Sequence, residues 1–213
     1  MLLNFQNVTF SVITMIERVI ISVSNKKGLN NLIKSIYEHN PNIEIIATSG
    51  TKRKISGKYN VIEVSEYTGM EEGPEGLVKT LHPKIEGGIL YHEDIPEHRE
   101  WMKKNDVKHI DGVIVNFYPF EEVANKKKDY ESLIEAIDIG GPTMTRAAAK
   151  ASLKYRDMER KKFVLIDPTQ YDKFISMIDN LTKEFVTSLA NETFHKTTGY
   201  DYQIWKHFKG ESI

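Results

Sequence analysis

The chain has 213 residues, with 29 Lys and Arg against 30 Asp and Glu, a formal net charge of −1 and no cysteine. This balance gives no overall attraction to nucleic acid or to an anionic membrane, so we expect neither as a partner. The lack of cysteine excludes disulfides, thiolate metal sites and a cysteine nucleophile, and it fits a reducing compartment, so we expect a cytoplasmic protein. No apolar run approaches the roughly 20 residues that a membrane-spanning helix needs.

Residues 1–14 lack the basic leader and the small-residue cleavage site of a signal peptide. We interpret them as an N-terminal extension, without predicting whether it is ordered. The length of the chain favours one compact unit. We predict an α/β core over residues 15–155 and a strand and helix extension over residues 156–213 that packs on it.

Short β-branched runs alternate with segments of helical periodicity along the chain. The predicted strands are residues 18–23, 43–47, 61–64, 112–115 and 162–166. The predicted helices are residues 29–37, 130–137, 142–155, a segment that starts at Asp167-Pro168, and 182–208 with a break near Gly199. A long loop rich in Gly and Glu covers residues 65–78. This alternation predicts an α/β fold with a mostly parallel sheet flanked by helices, plus a helical C-terminal part.

Two polar turns follow predicted strands, at the sheet edge where ligands of parallel sheets bind. The first carries Ser22, Ser24, Asn25 and Lys26, and the second is the run Thr48-Ser49-Gly50-Thr51. Hydroxyl, amide and ammonium groups beside a helix start suit a phosphate. The alternative is that Ser24 or Asn25 only caps the next helix. We interpret the basic run at residues 52–54 as a solvated helix face.

Three further segments carry groups suited to catalysis. The run Lys79-Thr80-Leu81-His82-Pro83 offers a cation, a hydroxyl and an imidazole, although His82 before a proline is equally compatible with a structural role. Asn116 and Tyr118 leave the fourth strand, and Phe117 between them suits packing. Asp138 precedes Ile139, Gly140 and Gly141, so a carboxylate lies beside the exposed backbone N–H groups of a helix start.

Arg146 and Lys150 are four residues apart on the predicted helix 142–155, so they project from one face. Small alanines at residues 147–149 would let this helix approach another element closely, with the two cations in a cleft. The alternative is an ordinary solvated face.

Taken together and in this order, these segments resemble the inosine monophosphate (IMP) cyclohydrolase family, one half of a bifunctional purine biosynthesis enzyme that also contains a transformylase. The resemblance runs from about residue 18 to residue 208 and implies a methylglyoxal-synthase-like three-layer fold. It implies an enzyme that closes 5-formamidoimidazole-4-carboxamide ribonucleotide (FAICAR) into IMP with loss of water and without metal or cofactor. It also implies a homodimer and, since the transformylase part is missing from this chain, a separate formyltransferase that supplies FAICAR.

The resemblance assigns catalytic roles to Lys79, Tyr118, Asp138 and Lys150. It assigns substrate binding to Ser22, Ser24, Asn25, Lys26, Thr48, Ser49, Gly50, Thr51, Thr80, Asn116, Phe117, Ile139, Gly140 and Gly141.

Two departures from the family pattern are visible, since Leu77 stands where an arginine is common and Ala151 where an asparagine is common. The first could remove a ligand contact. Two other functions stay open: a methylglyoxal synthase, which shares the phosphate-binding turns, and a non-catalytic nucleotide-sensing domain. A zinc site between Tyr91 and His98 is disfavoured, because that segment contains Pro96 and has the character of a charged surface loop.

Overall fold

A computed structural model describes residues 15–55, 57–74, 77–126 and 129–210 of the chain. The predicted N-terminal extension, residues 1–14, lies outside these ranges. The described residues contain one parallel sheet with the strand order β3-β2-β1-β4-β5. Its strands are β1 (Arg18–Val23), β2 (Glu44–Ala47), β3 (Val61–Glu63), β4 (Gly112–Asn116) and β5 (Phe163–Leu165).

Helices connect and cover these strands. In chain order they are α1 (Leu29–His39), α2 (Ser49–Lys52), α3 (Val64–Thr68), α4 (Pro83–Leu90), α5 (Pro96–Lys104), α6 (Phe120–Asn125), α7 (Tyr130–Glu135), α8 (Gly140–Tyr155), α9 (Tyr171–Met177) and α10 (Lys183–Phe208). A 3-10 turn, Pro168–Gln170, precedes α9, and Asp167 caps it by accepting a hydrogen bond from the Thr169 N–H. Among the described residues, no helix is long and apolar enough to cross a membrane.

The sheet is buried on both faces because side chains alternate along each strand. Val19, Ile21 and Val23 of β1 pack in a cluster with α1 and α9. Ile20 of the same strand points the other way, into a cluster that includes α4 and α8. The helix α10 contributes to both clusters and contacts α8 and β5. The three-layer α/β fold expected from the sequence is therefore confirmed.

Three details differ from the sequence prediction. The predicted loop 65–78 begins with the short helix α3, and the run 91–98 includes the first three residues of α5. Pro96 starts α5, because proline is tolerated at the first helical position where no N–H partner is needed. The helix α10 is unbroken at Gly199, since the buried Thr197 and Tyr200 on either side of that glycine anchor it to the core.

Candidate functional site

A cleft of about 900 Å³ opens at the carboxyl ends of β1, β2 and β4. Most of the predicted site residues line it, namely Ser22, Ser24, Lys26, Thr48, Ser49, Gly50, Thr51, Lys79, Thr80, Asn116, Tyr118, Asp138, Ile139, Gly140 and Gly141. The cleft lining does not include Asn25, Phe117 or Lys150. The parallel order of the strands explains the gathering, because it brings the turns after β1, β2 and β4 to one edge.

Asn116, at the end of β4, organises the turn after β1. Its Oδ1 accepts hydrogen bonds from the backbone N–H groups of Ser24 at 2.7 Å and Asn25 at 2.8 Å, and its Nδ2 donates to the Asn25 carbonyl at 2.9 Å. The Lys26 ammonium folds back and donates to the carbonyls of Val23 and Ser24. Burial, with a smaller contribution from Lys54, lowers the pKa of Lys26. Asn116 therefore shapes the turn by hydrogen bonding to its backbone.

The turn after β2 presents hydroxyl groups to the cleft. Thr51 is buried, and its Oγ1 accepts a hydrogen bond from the Val23 N–H at 3.1 Å, which ties this turn to β1. Thr48 Oγ1 lies 3.3 Å from the hydroxyls of both Ser22 and Thr51. Arg53 also lines the cleft, although the sequence suggested that residues 52–54 form a solvated face.

Glu72 enters the cleft from the loop after α3 and was not identified from the sequence. Its Oε1 accepts a hydrogen bond from Ser49 Oγ at 2.9 Å, and its Oε2 lies 3.5 Å from Lys79 Nζ. Ser49 Oγ also contacts the Glu63 carboxylate. The Glu72 carboxylate thus joins the hydroxyl-rich turn to the predicted catalytic lysine.

Asp138 lies two residues before α8 and is held by backbone donors. Its Oδ1 accepts a hydrogen bond from the Gly141 N–H at 2.8 Å, and its Oδ2 accepts a longer one from the Tyr118 N–H at 3.4 Å. Burial raises the pKa of Asp138 above its usual range, although these two hydrogen bonds oppose the shift. The Tyr118 side chain is about half exposed at the cleft. Such a carboxylate is suited to proton transfer.

The segment around Thr80 packs tightly against the first turn of α8. Thr80 is buried, and a Cβ added to Gly140 would lie only 2.4 Å from Thr80 Oγ1. His82 does not line the cleft; its Nδ1 accepts a hydrogen bond from the Lys84 N–H at 3.1 Å and caps α4. The sequence was compatible with a catalytic or a structural role for His82, and this cap is a structural role.

Lys150 is exposed on α8 and lies away from the cleft. It follows Gly140 by ten residues, which places it about 15 Å further along the helix axis. Arg146, its predicted companion, has its guanidinium 5.9 Å from the centre of the Phe194 ring of α10. The structure therefore does not bring these two cations into the cleft.

The segment between Tyr91 and His98 does not form a metal site in the structure. His92 is buried, and its backbone N–H donates to His98 Nδ1 at 3.1 Å. Within the described ranges, no group of three or more His, Cys, Asp or Glu side chains could hold a metal ion.

Comparison with known proteins assigns this fold and cleft to a family. The family model of the MGS-like domain matches residues 28–143, which contain the polar turn after β2, Lys79, Tyr118 and Asp138, while the turn after β1 lies just before that range. The chain belongs to the MGS-like domain family.

Individual proteins and one solved structure are also similar to this chain. The chain is 42% identical over 195 residues to the bifunctional purine biosynthesis protein PurH of Aquifex aeolicus, a match that covers 90% of this chain and 37% of that protein. It is 41% identical over 197 residues to PurH of Staphylococcus saprophyticus, with 91% of this chain and 38% of that protein covered. The chain thus spans little more than a third of these relatives. The crystal structure of ForH covers 91% of this chain with a TM-score of 0.72 and 25% identity, and all of the ForH chain is matched.

Proposed function

We propose that this chain is an IMP cyclohydrolase that closes FAICAR to IMP in purine biosynthesis. The observation that carries the proposal is the partly buried Asp138 carboxylate, held by backbone donors in a cleft that Lys79 and Tyr118 also line. The names of the PurH relatives support a role in purine biosynthesis.

The reaction needs one group that accepts a proton and others that stabilise an oxyanion. A carboxamide nitrogen is a weak nucleophile, so its attack on the formyl carbon is favoured when a base takes its proton. Asp138 is our candidate base. Lys79 and Tyr118 are our candidate donors to the oxygen of the formyl group as the new carbon–nitrogen bond forms.

The second half of the reaction removes water. The carbon–oxygen bond breaks, the former formyl oxygen leaves as water, and the formamide nitrogen loses its proton as the ring carbon–nitrogen double bond forms. Donation from Lys79 or Tyr118 would help the oxygen to leave, and Asp138 could pass its acquired proton on. The substrate already carries the formyl group, so a formyl-transfer activity has to supply it.

The nucleotide would lie along the cleft with its phosphate at the two polar turns. The hydroxyls of Thr48 and Ser49 and the Lys26 ammonium are our candidate phosphate ligands. Gly140 and Gly141 line the cleft beside Asp138, and this part of the wall suits the base end of the substrate. The cleft volume of about 900 Å³ is within the range of roughly 300–1,000 Å³ typical of small-molecule sites.

Lys150 needs a separate test because it lies outside the cleft. The resemblance predicts that Lys150→Ala abolishes turnover while nucleotide binding stays measurable. Near-normal turnover of this variant would remove Lys150 from the mechanism and leave the other three residues as the catalytic group. The homodimer that the resemblance implies is testable by light scattering.

The decisive experiment mixes the purified protein with FAICAR and follows the ultraviolet change on ring closure between pH 6 and 9. We expect turnover by the unmodified chain and its loss in Asp138→Asn. Binding of IMP in calorimetry without ring closure would instead favour a nucleotide-sensing domain. Consumption of a triose phosphate would favour a methylglyoxal synthase.

A further inference from the structure

Tyr200 of α10 lies beneath the turn that carries Asp138. Its hydroxyl accepts a hydrogen bond from the Asp138 backbone N–H at 2.8 Å and donates one to the Ala136 carbonyl at 3.1 Å. The side chain is buried, with 7% of the residue exposed. Tyr200 is far outside residues 28–143, the part of the chain that the family model matches.

The hydroxyl can make both hydrogen bonds at once only while it keeps its proton. Burial raises the pKa of Tyr200 to about 12, so the phenol stays protonated throughout the neutral range. One hydroxyl therefore fixes two backbone groups on either side of Ile137. A phenylalanine there would leave both groups without this partner, and buried backbone groups without partners are costly.

The Tyr200 ring also supports the other side of the cleft. It packs against the Phe117 ring with the centroids 5.1 Å apart and the planes tilted by 56°. Phe117 precedes Tyr118, whose backbone N–H donates to Asp138 Oδ2. Tyr200 thus contacts both chain segments that meet at the Asp138 carboxylate.

From this arrangement we propose that Tyr200 is a positioning residue, which sets the Asp138 carboxylate against Tyr118 and Gly141 for proton transfer. The inference rests on the proposed cyclohydrolase function, and it makes α10 a part of the catalytic unit. Tyr200 touches no cleft surface itself, so it acts through the backbone of the Asp138 turn.

The test compares Tyr200→Phe with Tyr155→Phe in the full chain. Tyr155 is a matched control, since it is also buried and its hydroxyl also accepts a backbone N–H, from Glu93 at 2.9 Å. Tyr155 does not line the cleft. We expect Tyr200→Phe to lower kcat by about 10- to 100-fold, because small displacements of a catalytic group have effects of this size. We expect KM to change by less than about threefold, since the candidate phosphate ligands lie on the turns after β1 and β2, which Tyr200 does not hold. Tyr155→Phe should leave both constants near those of the unmodified chain.

Amide hydrogen exchange provides a second measurement that does not depend on turnover. We expect the Asp138 and Gly141 amides to exchange faster in Tyr200→Phe but not in Tyr155→Phe. Unchanged exchange at both amides in Tyr200→Phe would overturn the proposal, and so would an equal loss of kcat in both variants. If the unmodified chain fails to close FAICAR, the proposed function fails, and the exchange comparison still decides whether Tyr200 positions Asp138.

Discussion

Replacing Gly140 with alanine tests how closely α8 must approach the Thr80 segment. The new Cβ would lie 2.4 Å from Thr80 Oγ1 and 3.8 Å from Thr80 Cβ. Non-bonded atoms in good contact are about 3.5 Å apart, so one of the segments must move by about 1 Å. Thr80 is 5% exposed, which leaves its side chain little space to turn into. The displacement should therefore reach the backbone that carries Lys79.

Both stability and turnover should change. Overpacking of this kind costs about 1–3 kcal/mol of the free energy of unfolding. The higher helix propensity of alanine than of glycine offsets at most about 1 kcal/mol of this loss of unfolding free energy. We expect a net loss of about 1–2 kcal/mol in urea unfolding for Gly140→Ala. A shift of about 1 Å at Lys79 should lower kcat/KM for ring closure by about 100-fold.

Gly199→Ala is the control for the effect of replacing a helical glycine with alanine where no steric conflict arises. Gly199 is exposed on α10, and no heavy atom lies within 4 Å of an added Cβ. This variant should gain about 0.5–1 kcal/mol of unfolding free energy and keep its activity. Adding Thr80→Ala to Gly140→Ala removes the hydroxyl in conflict and should restore part of the lost unfolding free energy. If Gly140→Ala unfolds and turns over like the unmodified chain, the close approach does not hold the site together.

Three further changes test other parts of the structure. Because burial raises the pKa of Asp138, the acid limb of kcat/KM should lie above the usual pKa of an aspartate side chain. A limb at or below that usual pKa would contradict the role of Asp138 as the base. Glu72→Gln removes a carboxylate that lies beside Ser49 and Lys79 in the cleft. Because ~1 kcal/mol of repulsion between this carboxylate and anionic IMP is lost, the dissociation constant of IMP should fall by about fivefold. The control Glu122→Gln changes an exposed carboxylate and should leave that constant unchanged. Burial lowers the pKa of Lys162 to about 7 from 10.5, so the unfolded chain binds this proton more tightly than the folded chain does. Between these two pH values the free energy of unfolding should therefore rise with pH, by at most ~1.4 kcal/mol per pH unit. In Lys162→Met this rise of the unfolding free energy with pH should be absent. If the unfolding free energies of the two proteins change with pH in parallel, Lys162 is not the group that causes the rise.

The sequence predicted the strands and the polar edge of the sheet because both depend on local patterns. The run Arg18–Val23 is β-branched and buried, and the polar turn after it begins where that pattern stops. Once the strands are parallel, the turns after β1, β2 and β4 share an edge whatever separates them in the chain. This explains why residues as distant as Ser24 and Asn116 could be assigned to one site before their hydrogen bond was seen.

Lys150 shows what helical periodicity leaves undetermined. The spacing from Arg146 to Lys150 fixes that both share a face of α8, but it does not determine what lies opposite that face. In the fold Arg146 lies over the aromatic ring of Phe194, Lys150 is exposed, and neither residue lines the cleft. The partner of a helix face depends on where α10 returns in three dimensions, and no local pattern at residues 146–150 carries that information.

Glu72 and Tyr200 escaped sequence analysis for two different reasons. Glu72 lies in a glutamate-rich loop, where composition does not distinguish the carboxylate that reaches Ser49 from that of the exposed Glu71 beside it. Tyr200 occupies a regular buried position of α10, so its pattern indicates only core packing, and its hydroxyl meets Asp138 across 62 residues of sequence. A buried tyrosine that only packed would tolerate phenylalanine at little cost, because the ring supplies the apolar contact. The two backbone hydrogen bonds at the Asp138 turn are therefore what make the hydroxyl of Tyr200 matter for the site as well as for the core.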